Sequence, residues 1–335
     1  MSREIHGYRL TSEFTTAGGG QCRWAFGERN GREYFIKEFL APTYPLPDSP
    51  GSAATKARKL ARCRQFEQRH LNLMASLAGL SKTGGNLVVA HDFFRHGARY
   101  YKVTIKVDVS TIDIGLIPAL PRRAQVILAT TVAHSLQILH RLGLVHGDVK
   151  PPNVLLKRTA KGLYTSKLID FDDAYESGRP PVPDELVGDI AYYSPEAQRY
   201  VLHEATATEL TCAADIFALG ILINEYLTGA RPAFPGGLTG AAGVLAASAF
   251  TTGLESAWPA MDRLVRRMLA ADAAARPDIA AVIAALRDIR DGGTGEFPAE
   301  PVEPPPPAGP AYLKGKLTEA RPGAPYLQGS MHKKR

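Results

Sequence analysis

Residues 144–156 read LVHGDVKPPNVLL and residues 167–174 read KLIDFDDA. In the first stretch Asp148, Lys150 and Asn153 stand at D-x-K-x-x-N spacing, after a long helical pattern and before an apolar, strand-like run. In the second, 17 residues beyond Asn153, Asp170 emerges from an apolar strand pattern. An unpaired carboxylate buried in such a run is costly, so Asp170 needs a purpose. Phosphoryl transfer asks little covalent work of a protein. It needs a carboxylate to orient an attacking hydroxyl, oxygen ligands for a divalent cation, and cations on the phosphates. Asp148 suits the first task, Asn153 with Asp170 the second, and Lys150 with an upstream lysine the third. Magnesium takes a few protein oxygens of this kind beside phosphate and water.

Working outward, the chain divides by pattern. YRLTSEF, CRWAFG and REYFIKEFL, within residues 7–40, are β-prone, and Asn30-Gly31 between two of them is a hairpin signal. Residues 41–53 carry Pro42, Pro45, Pro47 and Pro50 and predict a loop. Residues 54–70, ATKARKLARCRQFEQRH, have good helix formers and neither Gly nor Pro, so they predict a helix. NLVVAHDFF (86–94) and ARYYKVTIKV (98–107) predict two further strands. Beyond residue 107 the period becomes helical: 121–143 ends at Gly143, 215–229 is nearly all apolar, and 261–270 and 279–289 are amphipathic. The expected organisation is a strand-rich unit over 1–107, a helical unit over 108–291, and a flexible tail over 292–335, which holds nine of the 25 prolines.

Composition excludes several classes. With 45% apolar and 22% charged residues the chain is neither collagen-like nor wholly disordered. Three cysteines, Cys22, Cys63 and Cys212, are too few and too scattered for a disulfide framework or a zinc site. The uncharged stretch 236–254 is too polar for a membrane span, and the N-terminus has no long apolar run of the signal-peptide kind. A cytoplasmic protein without membrane attachment is expected. The net charge of +7 is uneven. Residues 1–150 hold 21 Lys or Arg against 11 Asp or Glu, and the remainder holds 19 against 22. Much of the excess lies on the helix at 54–70, which points to an acidic regulator docking there and not to nucleic acid.

The two quoted stretches, and the signals that follow them in order, resemble the eukaryotic-like (Hanks-type) serine/threonine protein kinases common in bacteria. The resemblance covers about residues 8–290. It implies an α+β, two-lobed protein-kinase-like fold with a small β-rich N-lobe and a larger helical C-lobe. It further implies ATP and Mg²⁺ as cofactors, and Ser or Thr hydroxyls of proteins, this chain included, as acceptors. By the same resemblance Asp148 is the base, with Lys150 beside it, and Asn153 and Asp170 hold the metal. Lys37 in YFIKEF holds phosphates and Glu67 pairs with it, while Gly18, Gly19 and Gly20 form the phosphate loop. In GDIAYYSPE, Ser194-Pro195-Glu196 matches the end of an activation segment. Asp215 matches an aspartate that braces the catalytic loop, and Arg276 a partner of Glu196.

Taken singly, the glycine cluster fits a flexible turn, Lys37 a solvated strand lysine and Glu67 a surface helix charge. Order and spacing of the whole set carry the reading. Small-molecule phosphotransferases of the aminoglycoside or choline type share H-G-D-x-x-x-x-N and I-D-F-D, so they are the alternative. A pseudokinase scaffold is a third reading, disfavoured because every acid, base and metal position is filled. Four departures from the family pattern carry expectations of their own. Arg23 stands at the third glycine position and is placed near the phosphates. Gly147 replaces the arginine that receives an activating phosphate, so no such dependence is expected. Asp172 replaces a glycine and is expected to face solvent. Asp189 replaces a threonine and is expected to pair with Lys150. Cys22 is expected to be an inert thiol.

Overall fold

A computed structural model describes residues 4–17, 22–79, 86–107, 113–159, 164–238, 240–246 and 249–295. The expected phosphate-loop glycines Gly18, Gly19 and Gly20 lie outside these residues, as does the expected tail beyond Gly295.

The chain opens with β1 (Glu4–Ile5), β2 (Tyr8–Leu10), β3 (Cys22–Arg29) and β4 (Arg32–Phe39). Helix α1 (Ala53–Leu77), β5 (Ala90–His96) and β6 (Arg99–Ile105) follow. The strands form one antiparallel sheet in the order β1-β2-β3-β4-β6-β5. The β3–β4 turn places Asn30 at φ 53° and Gly31 at φ 73°, the left-handed pair that a two-residue hairpin needs. Side chains alternate across the sheet. One face buries Tyr8, Tyr34, Ile36, Phe94, Tyr101 and Val103 together. The other buries Cys22, Phe39 and Tyr100 against Cys63 and Phe66 of α1. Ser52 caps α1 by accepting from Thr55 N, and the helix turns Arg58, Lys59, Arg62 and Arg64 to solvent.

The second half is helical, with short strands between. It comprises α2 (Arg122–Arg141), β7 (Leu144–Val145), β8 (Val154–Arg158), β9 (Tyr164–Leu168) and β10 (Tyr175–Glu176). It continues with α3 (Pro195–Val201), α4 (Ala213–Thr228), α5 (Gly240–Ala246), α6 (Pro259–Met268) and α7 (Ile279–Arg290). Helix α4 is apolar on every side because α2 and α6 cover it, and Ile216, Phe217, Leu219, Ile221 and Leu222 are all buried. Burying each such side chain contributes about 2 kcal/mol. The helix ends where Gly229 takes φ 77°.

Two features set up the site. Strands β8 and β9 pair from Val154–Leu168 to Arg158–Tyr164, and Ile169 N donates to Asn153 O at 2.9 Å. Asn153, just before β8, and Asp170, just after Ile169, therefore lie at the same end of this hairpin. The second feature differs from expectation. The strand predicted over 86–94 begins only at Ala90, and residues 86–88 pair instead with Leu168. Leu168 N donates to Asn86 O at 2.8 Å, and Val88 N donates to Leu168 O at 3.0 Å. The hairpin is thus stitched to the segment that feeds the sheet.

Candidate active site

The loop after β7 is built on one buried carboxylate. Asp215, in the first turn of α4, accepts from His146 N at 2.7 Å, His140 Nε2 at 3.0 Å and Gly147 N at 3.0 Å. Burial alone would raise its pKa, but His140, His146 and these N–H donors hold it below the ordinary aspartate value. His146 is itself buried. Its Nε2 lies 3.1 Å from Ile169 O and its Nδ1 accepts from Asp148 N at 3.2 Å, so both ring nitrogens are held by the backbone. Asp148 then projects with both oxygens engaged. Oδ2 lies 2.8 Å from Asn153 Nδ2 and 2.9 Å from Lys150 Nζ, and Oδ1 accepts from Asp189 N at 3.2 Å.

Because the Asn153 amide nitrogen also donates to Asp148 O at 2.8 Å, its orientation is fixed and its oxygen is the atom left for a cation. Asp170 stands at φ 63°, where the chain turns sharply out of the strand direction, and its side chain is 36% exposed. An amide oxygen and an accessible carboxylate at one end of a rigid hairpin are oxygen donors of the kind a hard divalent cation takes. Phe171 anchors the turn, buried edge-on against His146 with ring centroids 5.4 Å apart.

Facing this end, β4 presents Lys37. Its ammonium lies 2.8 Å from Asp170 Oδ1 and 2.6 Å from Asp172 Oδ2. Burial opposes the charge, but Asp172 and Asp170 outweigh it and hold the lysine well above its ordinary pKa. Lys102, the direct neighbour of Lys37 across the β4–β6 ladder, places its ammonium 2.5 Å from Asp172 Oδ1 and 3.5 Å from Asp170 Oδ1. His70 of α1 approaches Asp172 Oδ1 to 3.7 Å. Asp172 is therefore buried, not solvent-facing as expected. Burial penalises its charge, yet Lys102 and Lys37 keep its pKa far below the usual aspartate value. Glu67 also departs from expectation. Its carboxylate accepts from Tyr100 OH at 2.8 Å, and the Lys37 ammonium is held by the two aspartates instead.

Farther out, Ser194 caps α3, and Glu196 is buried in a two-pronged pair with Arg276 at 2.7 and 2.8 Å. Arg276 also donates to the carbonyls of Ala213 and Ala270 at 2.9 Å. This pair ties the end of the segment after Asp170 to the start of α4.

Comparison with known families fits this arrangement. The protein kinase domain matches residues 67–285. The chain belongs to the protein kinase domain family. The matched span holds the catalytic loop, the hairpin and the Glu196–Arg276 pair; Lys37 lies before it. A serine/threonine-protein kinase of Corynebacterium efficiens is 36% identical over 116 residues, 34% of this chain and 20% of that protein. PkaA, a serine/threonine-protein kinase of Streptomyces coelicolor, is 38% identical over 116 residues, with the same coverage of 34% and 20%. PknJ, a serine/threonine-protein kinase of Mycobacterium tuberculosis, is 29% identical over 205 residues, 60% of this chain and 33% of that protein. The chain thus spans a fifth to a third of the length of these curated relatives.

The remaining departures of this kinase domain have local causes. Gly147 takes φ 79°, and a Cβ there would meet Asp173 O and Tyr175 Cε1 at 3.2 Å, so the family's arginine does not fit this backbone. Asp189 touches Asp148 through its backbone N–H, while its carboxylate turns back to accept from Ala191 N at 3.0 Å; Lys150 pairs with Asp148. Arg23, expected near the phosphates, points away from Lys37. It lies across the ladder from Glu38, on the sheet face opposite Lys37, and pairs with that buried carboxylate at 2.7 Å. Cys22 is the first residue of β3, and burial pushes its thiol up to about 11, as an inert thiol requires. Two groups in the site go beyond those read from the sequence. They are Lys102 and Asp173, whose carboxyl is raised to about 6 by burial and by Asp172 and Asp170.

Proposed function

We propose that the chain is an ATP-dependent serine/threonine protein kinase. One observation carries the reading: Asp148, Asn153, Asp170 and Lys37 converge at one end of the β8–β9 hairpin, each held by a neighbour that fixes its direction. Asn153 and Asp170 would hold magnesium, which when bound neutralises phosphate charge. Lys37 grips the phosphates of ATP from the sheet side. The acceptor hydroxyl lies against Asp148, which takes its proton as the oxygen attacks the γ-phosphorus and ADP leaves. Lys150, 2.9 Å from the same carboxylate, offers a cation to the transferring group. The Glu196–Arg276 pair and the protein kinase domain match favour a protein acceptor over a small molecule.

Labelled ATP with Mg²⁺, offered with a generic acceptor protein, aminoglycosides and choline, separates the readings. Label on protein is expected. Asp148→Asn should lower transfer at least about 1,000-fold while ATP affinity stays within about threefold. Label appearing on a small molecule, or undiminished in that variant, defeats the assignment. The exposed Arg58, Lys59, Arg62 and Arg64 of α1 support an acidic regulator on that helix. Reversing those charges should abolish its salt-sensitive binding. A cytoplasmic location belongs to the same reading and is supported by three free cysteines. Among the described residues no helix is long and apolar enough to cross a membrane.

A further inference from the structure

We propose that Asp172, and not Glu67, is the carboxylate that positions Lys37 for the phosphates, and that Lys102 is the countercharge that allows Asp172 to be buried. The inference rests on the kinase reading for its purpose and on the cluster's geometry for its content.

Lys37 and Lys102 are direct partners across β4 and β6, and like charges so placed repel. One carboxylate resolves this. Asp172 gives Oδ2 to Lys37 at 2.6 Å and Oδ1 to Lys102 at 2.5 Å, so both oxygens are committed and both ammoniums are paired. Asp170 shares the load, reaching Lys37 at 2.8 Å and Lys102 at 3.5 Å, but it differs in access. Its side chain is 36% exposed, against 8% for Asp172. When Asp170 turns to a divalent cation, Asp172 is the carboxylate that stays on Lys37. Glu67 is committed elsewhere, to Tyr100 OH at 2.8 Å. On α1, the residue that faces the cluster is His70, one turn beyond Glu67, with Nδ1 at 2.9 Å from Phe66 O and Nε2 toward Asp172. The two unusual residues explain one another. A lysine buried in the middle of β6 and an aspartate in place of the family's glycine would each be costly alone and are compensated together.

The arrangement changes what controls Lys37. Its partner is carried two residues from Asp170, on the segment anchored by Phe171, and not on α1. Displacement of α1 therefore leaves the lysine's carboxylate in place.

Four variants test this: Glu67→Gln, Lys102→Met, Asp172→Asn and the double Lys102→Met/Asp172→Asn. The readouts are the melting midpoint without nucleotide, affinities for ATP and for adenosine, and the KM for ATP. Asp172→Asn leaves Lys102 without its closest counterion and should melt early. The double variant removes both charges and should recover the wild-type midpoint. Its ATP affinity should still fall at least about tenfold, with adenosine affinity unchanged, because only the phosphate grip is lost. Glu67→Gln should keep ATP affinity within about threefold, and Lys102→Met, which leaves Asp172 buried with Lys37 alone, should lower the melting midpoint. A double variant that binds ATP as tightly as wild type would make Asp172 a mere partner of Lys102 and overturn the proposal. So would a loss in Glu67→Gln as large as that in Asp172→Asn. If wild type transfers no phosphate, the kinase reading fails, and the ATP-against-adenosine comparison still decides the positioning of Lys37.

Discussion

Two buried ionic assemblies share this domain and are built differently. At Glu196–Arg276 one carboxylate meets one guanidinium in a flat fork, and backbone carbonyls take the remaining N–H groups. No charge is shared and nothing is left to rearrange. At Lys37 two ammoniums and two carboxylates share partners, and Asp170 is the more exposed of the two carboxylates. A saturated pair fixes a backbone, whereas a shared one can release a member to a ligand without leaving a bare charge. The first suits a structural seam, and on the proposed function the second suits a place that must accommodate a metal and phosphates.

The sharpest way to break the contrast is to remove one cation from each. Arg276→Met leaves Glu196 buried and unpaired and should cost about 3–5 kcal/mol of stability, read from urea unfolding. Lys37→Met should instead lower kcat/KM for ATP at least about 100-fold with a smaller loss in the same urea experiment, because Lys102 remains on Asp172. Equal stability losses would mean that the two assemblies are alike after all.

Titration sharpens the comparison within the shared cluster. Asp172 and Asp215 are held below their ordinary value of 3.8, so their stabilisation is present above that pH and is lost as the pH falls below it. Asp173 is raised to about 6, so its protonated form favours the fold. Its contribution is present below pH 3.8 and is lost as the pH climbs through 6. Asp173→Asn should therefore raise stability at pH 7 by about 3 kcal/mol and flatten the pH dependence of melting between those two values. The smallest effect is expected at an exposed pair. Arg9 and Glu28 are 55% and 35% exposed, and Arg9→Ala should shift stability by under about 0.5 kcal/mol in the same assay.

The parts of this site that were legible in sequence are those fixed by local spacing. Asp148, Lys150 and Asn153 fall on one short loop, and Asp170 follows along a hairpin whose register brings it back to Asn153. The Asn30-Gly31 turn and the long helices were readable for the same reason, since backbone conformation and apolar period are written locally. Glu67 and Asp172 are not legible in this way, because their partners are set at long range. The helix carrying Glu67 was evident, but its rotation about its own axis depends on how Cys63, Phe66 and His70 seat against Tyr100 and Phe93. Asp172 meets Lys102 from a strand 70 residues away. A signal did exist: a lysine inside the otherwise apolar run YYKVTI and an extra aspartate after I-D-F are two local violations of opposite sign, and violations of that kind tend to be neighbours. The β-prone run at 86–94 serves two partners: residues 86–88 pair with Leu168, and only the part from Ala90 onward joins the sheet.

The stitch at Leu168 has a mechanical consequence. Asn86 and Val88 bind both sides of one residue in β9, two positions before Asp170. Both bonds belong to the backbone, so they work as a rivet that no ordinary change of side chain at residues 86–88 can pull out. Only a proline at position 88 or 168 would remove one of the two N–H donors. The end of the hairpin carrying Asn153 and Asp170 thus keeps its anchor while the side chains around it vary.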